Sequence, residues 1–471
     1  MRKLLCCLLC LFCLVACDDD FATSPTDQPT LSADTLHVGT ILAGNSSKTY
    51  QVKLYNHCGA ELKLTSIALR NAATSGFRMN VDGMNGTSFT NSDLLRIASG
   101  DSMFIFVEAT FPETGEQYAY HTDFIDICCN NRSQTVVLDA WSKEVVKLQG
   151  LVLAADAVWP RGTEVQIFDS LVVPPDVTLT IADSSTLYLH DKADIFVHGT
   201  LLCEGQQDAP VTIRGDRTDN MFDNLPYDNL PSQWGSLYIS QTARGCQFVH
   251  TDIHGMTEGI VIDSTDVVFN SCHLKNSDGN LLTCHMTSMQ LLNSELSNAA
   301  GALFDAYGGW YDVVHCTLAN YNFSAAVTTP AVHFCNIDTA LVWVTPLHHC
   351  TFRNTLIWGK WCDPDVWPEY FHIVIDTDIL GRNVYADSVF TYCFDHCLLR
   401  ADGTDDDDFI QTIWNQDPKY KLIDTDNYSF DFHVDAESPA CNAGTAEGAL
   451  TCPFDLDGNA RAETPTVGCY E

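Results

Sequence analysis

Lys275 and Arg353 are two of only six basic residues between positions 235 and 400, with Arg244, Lys360, Arg382 and Arg400 the others. Each directly follows the apolar residue of a recurrent short phrase, so the two are expected to share a face. Asp252, Glu295 and Asp305 are the carboxylates nearest that face. A lysine or arginine beside acids could abstract the proton next to a neutralised uronate, which is polysaccharide lyase chemistry. Two carboxylates with a water between them would instead serve an inverting glycoside hydrolase. Solvated outer-face residues are the plainer expectation for all five, and the reading leans away from an enzyme.

Other residues suit binding better than catalysis. Trp343, Trp358, Trp361, Trp367 and Tyr370 crowd one inserted region. Aromatic faces offer a large apolar area at low entropic cost, and the CH face of a sugar ring stacks on them. Asp455 and Asp457 precede a turn at Gly458, with Asn459 just after it, at the spacing of a calcium loop. Asp405 to Asp408 form a like-charge run of the kind that is usually just solvated. His333, His348, His349, Cys362, His372, Cys393 and His396 are dense enough for a metal, but no CxxC pair accompanies them. No cofactor is required by these residues, and Ca²⁺ is the one candidate ion.

These side chains need a scaffold, and the sequence shows a repeat. Ile253, Leu274, Leu296 and Leu318 follow one another at 21, 22 and 22 residues. Two positions before them stand Thr251, Cys272, Ser294 and Cys316, and two after stand Gly255, Asn276, Asn298 and Asn320. The phrase returns as Cys350-Thr351-Phe352-Arg353-Asn354 and more weakly as Cys397-Leu398-Leu399. A period near 22 with one short strand in phase fits a stacked solenoid, in which like residues form ladders. An Asn column at tight turns would bond along the axis through its amides. The expected fold is all-β: a right-handed parallel β-helix with coils of about 22 residues. Residues 31–145 instead alternate polar and apolar residues in short strands, as in Lys48 to Asn56, and predict a small β-sandwich.

With 61 acidic and 24 basic side chains the chain carries a formal charge of −37, which excludes nucleic acid as a partner. Arg2 and Lys3 precede an apolar stretch from Leu4 to Ala16, of the length of a secretory signal. Leu14-Val15-Ala16-Cys17 resembles the lipobox of bacterial lipoproteins, which implies diacylation of Cys17 and attachment to the outer membrane. Asp18, Asp19 and Asp20 are similar to the export tag of Bacteroidota surface lipoproteins, and the resemblance implies the cell surface.

"VGTILAGNSSKTYQVKLYNHCGAELKLTSIAL" resembles Ig-like modules of bacterial surface proteins, whose usual roles are spacing or docking to protein partners. "VTLTIADSSTLYLHDKADIFVHGTLLCEGQQDAPVTIRGDR", "GGWYDVVHCTLANY", "SPACNAG" and "DLDGNARAETPTVGCYE" resemble the right-handed parallel β-helix repeat proteins, a pectate-lyase-like group. That resemblance brings no established activity, and the paired-Asp, Gly-His-Gly and Arg-x-Lys signatures of pectin hydrolases are absent. It implies a signal peptide and lipobox at 1–17, a flexible tether at 18–30, and an Ig-like sandwich at 31–145. The β-helix follows at 146–415, with a closing cap at 416–471. Of 21 cysteines, four precede Cys17. Cys272, Cys316, Cys350 and Cys397 are expected on the inward ladder as small apolar residues. Cys441 with Cys452 is the expected disulfide, and Cys58 with Cys128 or Cys129 a lesser one. The leading expectation is a surface protein that binds or presents to extracellular polysaccharide. The alternatives are a lyase or hydrolase on the outer face, and a structural or adhesive protein.

Overall fold

The computed structural model describes residues 21–90, 93–222, 225–322, 329–338, 343–360, 379–382 and 387–471. The chain is all-β, with 55% strand against 2% helix. It divides into two compact units at Met1–Glu144 and Val145–Glu471. Among the described residues no helix is long and apolar enough to cross a membrane.

The first unit pairs two sheets around one core. One sheet orders its strands Thr30–Leu31, Tyr50–Tyr55, Ser102–Ala109, Phe77–Val81 and Met84–Gly86. The other runs Thr35–Leu42, Arg132–Lys143, Tyr118–Cys129, Leu62–Leu69 and Ser88–Thr90, with Arg96–Ile97 at its side. Alternation explains the layering, because successive strand residues face opposite sides. Val52, Leu54, Ile105 and Val107 from one sheet and Leu64, Ile67, Ile125 and Ile127 from the other are fully buried together.

The second unit is built from three parallel ladders that the chain visits in rotation. Ladder A stacks Val165, Leu187, Ile213, Ile253, Leu274, Leu296, Leu318, Ile357, Leu399 and Trp414. Ladder B stacks Leu171, Ile195, Leu237, Ile260, Leu282, Phe304, Val332 and Ile379. Ladder C includes Phe248, Phe269, Leu291, Val313, Phe352, Phe394 and Phe409. Its phenylalanines stack face to face inside, with Phe352 and Phe394 4.8 Å apart and Phe394 and Phe409 5.1 Å apart.

The repeat at Ile253, Leu274, Leu296 and Leu318 is in register on ladder A. The phrase at 350–354 is not. Phe352 pairs with Val313 on ladder C, and ladder A continues at Ile357. The reason lies in the corner between these ladders. A ladder A residue follows its ladder C neighbour by five positions throughout, from 248 to 253 through 409 to 414. Inserted chain between Leu318 and Phe352 displaces both together.

That corner has a fixed chemistry. Three positions before each ladder A residue, His250, Ser271, Asn293, His315, Asn354, His396 and Gln411 hold φ between 41° and 57°. The next position takes a small donor. The thiols of Cys272, Cys316 and Cys397 reach the carbonyls of Phe248, Leu291 and Phe352 at 3.2, 3.3 and 3.3 Å. Cysteine here is a small hydrogen-bonding residue interchangeable with Thr251, Ser294 and Thr355. Cys350 is buried on ladder C beside Tyr311, away from this corner. The Asn column does not bond amide to amide either. Asn276 and Asn298 hold φ of 59° and 57°, and their amides meet backbone at Asp228 and Tyr321 instead.

Among the described residues, none of the fifteen cysteines that follow Cys17 is in a disulfide. The expected pairing of Cys441 with Cys452 is not made: the Cys441 thiol points to the Asp435 carbonyl at 3.5 Å, and Cys452 ends the short helix Ala446–Thr451. Cys58, Cys128 and Cys129 are likewise unpaired.

Candidate functional site

The outer face of ladder A carries a cluster of ionisable side chains. Asp252, His273 and Glu295 form one column, and His254, Lys275 and Ser297 the next, because consecutive strands stack in register. Parallel strands lie about 4.8 Å apart, so each residue sits within reach of its counterpart one strand on. The loop that follows ladder A at Arg214 bends back over this face and delivers Asp228. The hairpin Tyr420–Asp424 with Ser429–Val434 and the terminal residues cover it further on.

His254 stands between two carboxylates, with Nδ1 2.8 Å from Asp252 and Nε2 3.2 Å from Asp228. Lys275 Nζ lies 3.7 Å from the other Asp252 oxygen, and Arg214 pairs with Asp228 at 2.5 Å. Burial alone would push Asp252 up, but Lys275 and His254 outweigh it and hold the carboxyl well below the usual range. Burial would likewise lower His254, yet Asp252 and Asp228 hold it above its ordinary value. Asp252 raises Lys275 against the opposing effect of burial. Glu295 accepts from the Tyr470 hydroxyl at 2.6 Å and from Ser297 at 3.0 Å. Beside these groups lies a cavity of 210 Å³, walled by Lys275, Glu295, Ser297, Asn276 and Asn298 on one side and by Phe430 and Phe432 on the other.

Of the five residues expected near one face, the fold brings together Lys275, Asp252 and Glu295. It separates the other two. Arg353 belongs with ladder C and pairs with Asp395 at 2.9 Å. Asp305 is buried on ladder B, 2.6 Å from His333 and 2.8 Å from the Asn280 amide. His254 shares its position in the repeat with Lys275 and could have been found from that phase. Asp228 and Tyr470 could not, since they arrive from a loop and from the chain's far end.

The aromatic expectation is divided. Trp343 is 70% exposed. Trp358 is half-buried against the cluster of Leu356, Leu398, Ala440 and Val467, with Arg400 over its ring at 5.2 Å, so it belongs to the packing. Trp361, Trp367, Tyr370 and the lipidation candidate Cys17 lie outside the described residues. Trp310, not singled out from sequence, is 51% exposed and stacks on His349 at 5.0 Å.

The calcium-like segment is a turn built on its own carboxylate. Asp455 is buried and accepts from the backbone and side-chain amides of Asn459 and from the backbone N–H of Glu471. Gly458 holds φ of 83°, and Asp457 turns away to His433 at 2.7 Å. Asp405 and Asp406 accept from nearby backbone N–H groups, as loop-bracing carboxylates do. Among the described residues no group of three or more His, Cys, Asp or Glu is arranged to hold a metal ion.

No protein-family model and no curated protein sequence matches the chain. Local likenesses to solved structures exist. A Porphyromonas gingivalis W83 protein of unknown function is 20% identical over 25% of this chain and 48% of its own, with a TM-score of 0.19. The Vibrio cholerae protease VesB is 12% identical over 26% and 33%, at 0.18. A family 123 glycoside hydrolase from Clostridium perfringens is 9% identical over 27% and 26%, at 0.19. The chain thus spans less than half the length of each of these three. At these scores none of them bears on what the chain does.

Proposed function

We propose that the chain is a lipid-anchored bacterial surface protein that binds extracellular carbohydrate without cutting it. In this reading residues 145–471 form a right-handed parallel β-helix of the pectate-lyase-like repeat group, and the first unit is an Ig-like module. The parallel return of ladder A at 21 or 22 residues supports the solenoid, and the lipobox phrase at Cys17 supports the anchor.

The observation that carries the binding reading is the 210 Å³ cavity beside Lys275. Its walls combine an ammonium, a carboxylate, two amides and a hydroxyl with two phenylalanine rings, the mixture that sugar hydroxyls and CH faces meet well. The same groups are poor catalysts. Asp252 keeps Lys275 protonated, so it is no base at neutral pH, and the two acids that flank His254 raise its pKa. Glu295 is already occupied by Tyr470.

The test uses the full chain against plant, host and microbial polysaccharides, with and without Ca²⁺, scored for binding and for new reducing ends. Binding that weakens about tenfold or more in Lys275→Met, with no new reducing ends, is expected. New reducing ends would replace this reading with a lyase or hydrolase. Silence in both assays would favour an adhesive role towards protein partners.

A further inference from the structure

The first unit contains a site that the reading above does not use. Its five-stranded sheet turns one face to solvent, and such a face is ordinarily polar. Here the strand Ser102–Ala109 places Phe104 and Phe106 on that face, parallel within 7° at 5.8 Å. Lys53 covers Phe104 at 5.0 Å. Phe106 instead floors a cavity of 800 Å³.

The surroundings of Phe106 follow from strand register. Gln51 pairs with it on one side and Asn80 on the other, and Asn80 pairs in turn with Asn85. One row across four strands therefore reads amide, ring, amide, amide. The Asn80 side chain donates to Asn85 at 2.9 Å and accepts from the Gly83 N–H at 2.8 Å, which fixes the turn that forms the cavity's side wall. Gly83 holds φ of 89°, a conformation glycine adopts without strain. At the far side Glu108 accepts from Thr49 and pairs with Arg78 at 3.3 Å, so the charges that the described residues bring to the wall cancel.

We propose that this groove binds an uncharged oligosaccharide, with one pyranose ring stacked on Phe106 and its hydroxyls met by Asn80, Asn85 and the Arg78–Glu108 pair. A flat ring takes the CH face of a sugar, while amides donate and accept together as hydroxyls do. The balanced wall and a chain charge of −37 select against a uronate or sulfated polymer. This site is independent of the Lys275 cavity, and either can fail alone.

The experiment titrates the full chain by calorimetry with cellohexaose, xylohexaose, mannohexaose and maltohexaose, and with hexagalacturonate as the charged arm. Phe106→Leu keeps apolar bulk but removes the ring, and Phe106→Tyr keeps the ring. At least one neutral hexasaccharide is expected to bind, about tenfold more weakly to Phe106→Leu and within twofold of wild type to Phe106→Tyr. Equal loss in both variants, or none in Phe106→Leu, overturns the proposal. So does silence across the four neutral sugars, or preference for the galacturonate. Binding lost only in Lys275→Met overturns this site and leaves the earlier reading standing.

Discussion

Two histidines, His254 within a ladder A strand and His315 at the corner that precedes another, live under opposite electrostatics. His254 lies on the outer face between two carboxylates and is held above its ordinary pKa. His315 is fully buried at the corner, where its Nδ1 meets the Gly468 carbonyl at 3.1 Å and its Nε2 the Asn354 amide at 2.9 Å. Burial, with Arg461 nearby, pushes its pKa down to about 3. The two positions differ in backbone, extended at His254 and left-handed at His315 with φ of 52°, and they differ further in what the rest of the chain lays over them. Over His254 it lays the loop that brings Asp228 to its Nε2. Over His315 it lays the terminal segment, which runs along ladder A instead of closing an end of it. Thr445, Arg461 and Cys469 fasten that segment to Asn354, Asn293 and Thr317.

The largest expected effect breaks the sealed corner. Asn354 donates to His315 and to the Thr445 carbonyl, accepts from the Thr445 N–H, and is fully buried. Asn354→Ala strands three partners and should cost about 3 kcal/mol in urea unfolding. A loss under 1 kcal/mol would mean that the segment docks without this residue.

Acid titration is the next largest. His315 binds its proton near pH 6.5 when unfolded and only near 3 when folded, so stability should fall as pH drops through that window. The slope is at most about 1.4 kcal/mol per pH unit. Asp252, whose folded pKa is depressed, adds stability above about pH 4 that is lost below it. His315→Gln should flatten the decline between pH 6 and 4 relative to wild type. An unchanged slope would place the acid sensitivity elsewhere.

On the outer face the sign reverses. Because the folded pKa of His254 lies above its unfolded value, its contribution is complete below about pH 6.5 and is lost as pH rises through the folded value. Asp252→Asn should remove most of that alkaline decline and cost about 1–2 kcal/mol at pH 7, since Lys275 retains Glu295 nearby and both pair members are part-exposed. If the alkaline decline survives in Asp252→Asn, His433, held up between Asp431 and Asp457, becomes its source.

How much of this was legible follows from where each contact originates. The ladder A register from Ile253 to Leu318 was readable because the uninterrupted circuits repeat at 21 or 22 residues. It was lost at Cys350 because Cys-x-Phe-x-Asn mimics Cys-x-Leu-x-Asn, and only the five-residue step between ladders C and A tells them apart. Lys275, Asp252 and Glu295 were readable as one face for the same reason that Arg353 and Asp305 were misplaced: phase is informative within a ladder and silent between ladders. Asp228, Tyr470 and the floor at Phe106 depend on chain that returns from far away or on a second sheet. No local pattern encodes those.

The smallest effect concerns the cysteines, and it separates two accounts of the same corner. If Cys316 is there only for its size, an apolar residue of similar volume should replace it freely. If its thiol matters as a donor to the Leu291 carbonyl, the replacement must carry a donor, as Ser294 and Thr355 do at the neighbouring turns. Cys316→Ser should then lie within about 0.5 kcal/mol of wild type, and Cys316→Val should lose about 1 kcal/mol more in urea unfolding. Burial already raises the Cys272 thiol to about 12, and Cys316 is raised as well, so neither is expected to alkylate before Cys441 in the folded protein. Equal stability of the serine and valine variants would reduce the corner to a matter of volume.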